Sequence, residues 1–131
     1  MLGATFAHRM LVGASALLMA FALTACGPNK AHQVSKAEES VMRLKEGVVD
    51  FATTNRDWPK SIDDLKVGGD ELPGISYAVG EGGVIAVYFA AGSGLTGARL
   101  VYTPTQDVQG NVTWACTAQG LDAALKPASC S

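Results

Sequence analysis

Histidine is nearly missing from this chain, and the shortage excludes most catalytic schemes. Only His8 and His32 occur among 131 residues. Ser/His/Asp catalysis and imidazole-based metal sites both need convergent histidines, so neither is expected. Cysteine is scarce as well. Cys26, Cys116 and Cys130 form no C-x-x-C pair for zinc or thiol redox chemistry. The ten Lys and Arg residues are outnumbered by twelve Asp and Glu, with no basic cluster, so nucleic acid lacks the positive face its phosphates require. Asp63, Asp64, Asp70 and Glu71 lack the D-x-D-x-D-G order of a calcium loop and read as a solvated acidic connection. The glycines at 80, 82, 83, 92, 94 and 97 precede no helix start, so they mark turns rather than a phosphate cradle. No catalytic residue, metal or cofactor is therefore expected.

No apolar run reaches the roughly 20 residues of a membrane span. Met10 to Ala22 is apolar, follows His8 and Arg9, and has the length of a signal h-region. It leads into Leu23-Thr24-Ala25-Cys26, which resembles a bacterial lipobox. The resemblance implies diacylation of the Cys26 thiol, cleavage before it, and Cys26 as the new N-terminus. The expected organisation is a lipoprotein signal peptide over 1–25, a lipidated tether over 26–33 that includes His32, and one folded domain over 34–131. Removing residues 1–25 leaves 106 residues, enough for one core. Only Arg9 is lost from the charged residues, which leaves a net side-chain charge of −3. Gly27 lacks the aspartate that favours inner-membrane retention, so the outer membrane is the expected location.

Cysteine parity follows from that assignment. Lipidation uses Cys26, and an exporting compartment is oxidising, so Cys116 and Cys130 are expected to pair.

Ser35-Lys36-Ala37-Glu38 has the form of a capping box. From there Val34, Ala37, Val41, Leu44, Val48 and Phe51 recur in steps of three and four, one apolar stripe along a helix. Met42 and Val49 widen the stripe, and Glu39, Arg43, Glu46 and Asp50 occupy the other side. Gly47 costs about 1 kcal/mol against alanine in a helix, which suggests close packing there. Fewer than three heptads is short for a coiled coil, so the stripe is expected to lie on a sheet.

Arg56 to Gly74 reads as an irregular connection with Trp58-Pro59 and one capped turn at Ser61–Leu65. Four strand segments follow: Ile75–Val79, Val84–Phe89, Arg99–Thr103 and Val112–Cys116. Val84–Phe89 is apolar on both faces and therefore internal to the sheet. Pro104 is expected to stop the third strand. Short turns between the segments point to an antiparallel meander. The fold class is α+β: one long N-terminal amphipathic helix packed on a four-stranded antiparallel sheet, with a C-terminal disulfide loop.

In this order, a helix, a Trp-Pro loop, antiparallel strands and a cystine ending resemble the globular domain of a type IV pilin. The residues that carry the likeness are Gly110-Asn111-Val112-Thr113-Trp114-Ala115-Cys116 and Lys126-Pro127-Ala128-Ser129-Cys130. They are similar to a pilin ending in which a strand bears Trp-x-Cys and Pro-x-x-Cys closes the loop. Gly83–Val87 and Leu100–Pro104 match the two preceding strands. The departure is N-terminal. Pilins carry a prepilin-peptidase site, a glycine then a phenylalanine, with a glutamate shortly inside a long hydrophobic helix. Neither Gly3 nor Gly13 is followed by that pattern, and no acidic residue precedes Glu38.

The resemblance implies a non-enzymatic, lipid-anchored envelope protein whose partners are pilins or pilus machinery. It would serve assembly, anchoring or adhesion. A prophage-encoded superinfection-exclusion lipoprotein mimicking pilin, and a small-ligand carrier or enzyme on the same fold, are the alternatives. Trp58, Gln119, Asp122 and Lys126 are the expected recognition surface. Mass spectrometry of the membrane-extracted protein should find an acylated cysteine at position 26 as the N-terminus, and Cys26→Ala should release or stall the chain.

Overall fold

The computed structural model describes residues 29–67, 72 and 74–131. The signal segment, the lipobox, Asp70 and Glu71 lie outside the described residues. Helix α1 runs over Lys30–Asn55. Four strands follow, β1 Ile75–Val79, β2 Ile85–Phe89, β3 Arg99–Gln106 and β4 Val112–Gln119. They pair antiparallel in chain order, β1-β2-β3-β4, the meander expected from the short turns.

The helix stripe is the core. Val34, Ala37, Val41, Leu44 and Val48 are all buried, and Phe51 is half-buried at its end. They meet the inner face of the sheet, where Ile85, Val87 and Leu100 are completely excluded from solvent and Phe89 and Tyr102 nearly so. Register explains why these side chains share one face. Val87 stands opposite Leu100, and Tyr102 opposite Cys116, and residues two apart on a strand point the same way. Ser76, Ala86, Tyr88, Arg99, Val101 and Thr117 take the other face. A stripe enclosed within its own chain excludes the coiled-coil alternative.

Glycine sets two close approaches. A Cβ on Gly47 would stand 2.9 Å from Val67 Cγ2, so the helix takes the returning connection against its backbone there. Gly83 lies at φ 74°, and its missing Cβ would meet Trp58 Cε3 at 2.9 Å and Val48 Cγ1 at 3.0 Å. The Pro59 carbonyl accepts a hydrogen bond from Gly83 N–H at 3.1 Å. Helix, connection and sheet are joined at that one residue.

Two expectations are corrected. The helix begins at Lys30, so the capping box at Ser35 and Glu38 does not form and Lys30–Gln33 are helix rather than tether. Asn29 is the N-cap, its side chain accepting from His32 N–H at 3.2 Å. Asparagine caps as well as serine, and the earlier start places Val34 inside the helix instead of at a fraying end. Pro104 does not stop β3, which continues to Gln106. The β2 ladder against β3 has already ended at Ile85–Tyr102. Pro104 pairs only with Trp114 of β4, and Trp114 lies in phase with Cys116 and Ala118, whose backbone groups point away from β3 to Ser131. That makes Pro104–Trp114 a pair that exchanges no ladder hydrogen bonds, so the proline's lost N–H costs the sheet nothing.

Leu44→Ala should lose about 2–5 kcal/mol in urea denaturation, the usual cost of truncating a packed leucine. Met42, which is 63% exposed on the same helix, should tolerate alanine within about 0.5 kcal/mol.

Candidate recognition surfaces

The C-terminal segment is a closed loop pinned at both ends. Cys116 and Cys130 form a disulfide across 14 positions. The bond holds Cys130 beside Cys116 in a parallel bridge. Ser131 then donates from its N–H to the Cys116 carbonyl at 3.0 Å, and its carbonyl accepts from Ala118 N–H at 3.0 Å. The chain thereby covers part of the outer edge of β4. Within the loop Leu121 and Leu125 are half-buried and Pro127 is buried, while Asp122, Ala123, Ala124 and Lys126 face solvent. The Asp122 carbonyl accepts from the N–H groups of Leu125 and Lys126 at 2.8 and 3.1 Å, a helical turn that presents Asp122 and Lys126 together. Gly120 enters at φ 71°, where a Cβ would stand 3.2 Å from both Ala98 Cα and the Gly97 carbonyl.

The four expected recognition residues do not form one surface. Gln119 sits at the end of β4 opposite Arg99, whose Nε donates to Gln119 Oε1 at 2.7 Å. Trp58 packs by Gly83 and Pro104, five positions along β3 from Arg99, about 17 Å at strand rise. Gln119, Asp122 and Lys126 belong to the cystine loop, and Trp58 to a separate site at the end of α1.

The acidic connection is structural where it is described. Asp64 Oδ2 accepts from Lys60 and Ser61 N–H at 2.8 and 3.0 Å, and Ser61 Oγ accepts from Asp63 N–H at 2.9 Å. That is a capping box on the short turn Ile62–Asp64. Its carboxylate is used by backbone donors, and no group able to hold a metal ion occurs among the described residues.

Lys45 was not anticipated. Its Nζ lies 4.4 Å from the Tyr102 ring centroid and 5.5 Å from that of Trp114, a cation–π arrangement worth about 0.5–2 kcal/mol. Burial pushes the Lys45 amine below its usual pKa, against the opposing pull of Glu38. The Tyr102 hydroxyl, buried without a hydrogen-bond partner among the described residues, is pushed up to about 12, by burial first and Glu38 second. The available signal was positional. Lys45 follows Leu44 at the margin of the stripe, where the facing strands carry two inward aromatics. On the exposed side of the helix, Lys36 rather than Arg43 is the main partner of Glu39. Its Nζ is 3.0 Å away, and the hydrogen bond and charge of Lys36 lower the Glu39 carboxyl, with Arg43 a smaller contributor.

A long helix laid on an antiparallel meander, closed by a cystine between the last strand and the C-terminal segment, defines the class of a filament-subunit head domain. The family model for pilin, the bacterial filament protein, matches residues 32–131, and the chain belongs to that family. The family is structural and non-enzymatic and occurs at the bacterial surface, in association with pilus components. No curated protein matches the chain.

Replacing Cys130 with serine should cost roughly 3 kcal/mol, the loop-closure value for about 15 residues. Reductant should lower the thermal midpoint of the native protein and leave that of the variant unchanged.

Proposed function

We propose that this protein is a lipid-anchored relative of pilin that modulates the type IV pilus system from the cell envelope without entering the filament through a hydrophobic stem. The observation that supports the reading is the junction near residue 30. A pilin-family body over 32–131 is preceded by Leu23-Thr24-Ala25-Cys26, not by the glycine–phenylalanine site and glutamate of a prepilin. Among the described residues no helix is long and apolar enough to cross a membrane. Diacylated Cys26, held in the outer membrane, supplies the attachment. The body offers a pilin-like surface to pilins or their machinery, and the solvent-facing side of the cystine loop is its contact. α1 is 26 residues long, about 39 Å at helical rise.

Expression in a piliated host tests this. Twitching, surface pili or infection by a pilus-specific phage should change, and Cys26→Ala should abolish the effect by misplacing the protein. Combined substitutions D122N, A123S, A124S and K126Q should weaken it while leaving Leu121, Leu125 and Pro127 to hold the loop. If folded, envelope-located protein leaves all three behaviours unaltered, the pilus connection is wrong. An effect confined to phage infection selects the superinfection-exclusion alternative.

A further inference from the structure

Where α1 ends, two distant stretches of sequence converge on an open polar cleft of about 500 Å³. Arg56, Asp57 and Trp58 line one side; Gln106, Gln109 and Gly110, from the β3–β4 hairpin, line the other. Both walls are preset. Arg56 leaves the helix in the left-handed conformation at φ 54°. Asp57 Oδ1 accepts from Trp58 N–H at 2.9 Å, and the indole is seated against Gly83, where a Cβ would lie 2.9 Å from its Cε3. In the hairpin Asp107 Oδ1 accepts from the N–H groups of Gln109 and Asn111 at 2.9 and 2.8 Å, and Oδ2 from Asn111 Nδ2 at 2.9 Å. Gln106 Nε2 donates to the Gly110 carbonyl at 3.3 Å.

We propose that this cleft binds a neutral sugar unit of a glycan, of the hexose or N-acetylhexosamine class. Its volume falls within the roughly 300–1,000 Å³ of small-molecule sites. A fixed indole offers an apolar surface to the C–H face of a pyranose, as it does in other amphipathic contacts. Around it stand a guanidinium, a carboxylate and two amides, planar groups with paired donors and acceptors that match adjacent hydroxyls. Arg56 and Asp57 cancel in charge and the hairpin wall adds the Asp107 carboxylate, so the site has no excess positive field to hold a phosphate or an acidic sugar. Apolar lining is limited to Trp58 and Ala52, too little for the side-chain anchors by which a peptide is held.

Binding is tested on the purified protein in a detergent without a sugar headgroup. N-acetylglucosamine, its β-1,4-linked disaccharide and glucose serve as probes in saturation-transfer NMR, with tryptophan fluorescence as a second readout. At least one probe should receive saturation on its ring protons. Gln109→Ala and Arg56→Gly, the latter suited to the left-handed backbone, should each weaken binding about three- to tenfold, the loss of a hydrogen bond, at a thermal midpoint no lower than that of the native protein. Absence of transfer at millimolar sugar overturns the proposal, as does transfer undiminished in both variants. Tighter binding of inorganic phosphate than of every sugar overturns the neutral-ligand assignment.

Discussion

Val34, Ala37, Val41, Leu44 and Val48 have one surface of matching size to meet, the inner face of β2 and β3, and every other element is placed by that meeting. Fully burying an aliphatic side chain of this size is worth about 1.5–3 kcal/mol, so the helix has no competing place to lie. Once it is seated, the connection after Asn55 must return across it to reach β1. Among the described residues, Gly47 and Gly83 are positions where that return packs against a missing Cβ. Val48, Trp58 and Pro104 crowd the vacant Cβ position of Gly83 and fix the helix end relative to the sheet. Lys45 then closes the open flank beside Tyr102 and Trp114 with a cation, where an apolar residue would have been exposed to water.

The helix and the strands were legible because their patterns are periodic. Steps of three and four announced α1, alternation around Tyr77 and Trp114 announced the first and last strands, and a continuous apolar run announced β2. Ends were less legible, because they depend on competition between neighbours that each look adequate. Asn29 and Ser35 are both good caps, and the choice follows from whether Val34 is buried, a tertiary fact. Pro104 looked like a stop because its missing N–H is visible in sequence, while the absence of any strand needing that N–H is not. The cystine was legible from parity. The site at the end of α1 was not: residues 56–58 and 106–110 are some fifty positions apart, share no spacing, and meet only because β3 runs toward the end of the helix.

Two surfaces with different physics emerge from one small body. The cystine loop is short, covalently closed and folded into a single turn at Asp122–Lys126, and displays charge of both signs. The cleft at the helix end is open, carries no excess positive charge and is stiffened by Asp107 and Gly83. Trp58 and the trio Gln119, Asp122 and Lys126 lie on two segments that are each pinned at their ends. The run of β3 between Arg99 and Pro104 keeps them on separate parts of the molecule.

The strand order has a kinetic corollary. Each strand pairs with its neighbour in sequence, so sheet assembly needs only short loop closures, the quick kind. The helix is different. In a chain emerging from its N-terminus, α1 appears complete while its partners β2 and β3 are still unmade, with some thirty to fifty residues yet to come. Throughout that interval its apolar face is wet and available to any other exposed surface, the condition under which chains misassociate. The slow and vulnerable step of maturation is therefore the wait of the first element for the third and fourth, and the cystine, which ties β4 to the segment after it, locks a structure whose risk has already passed.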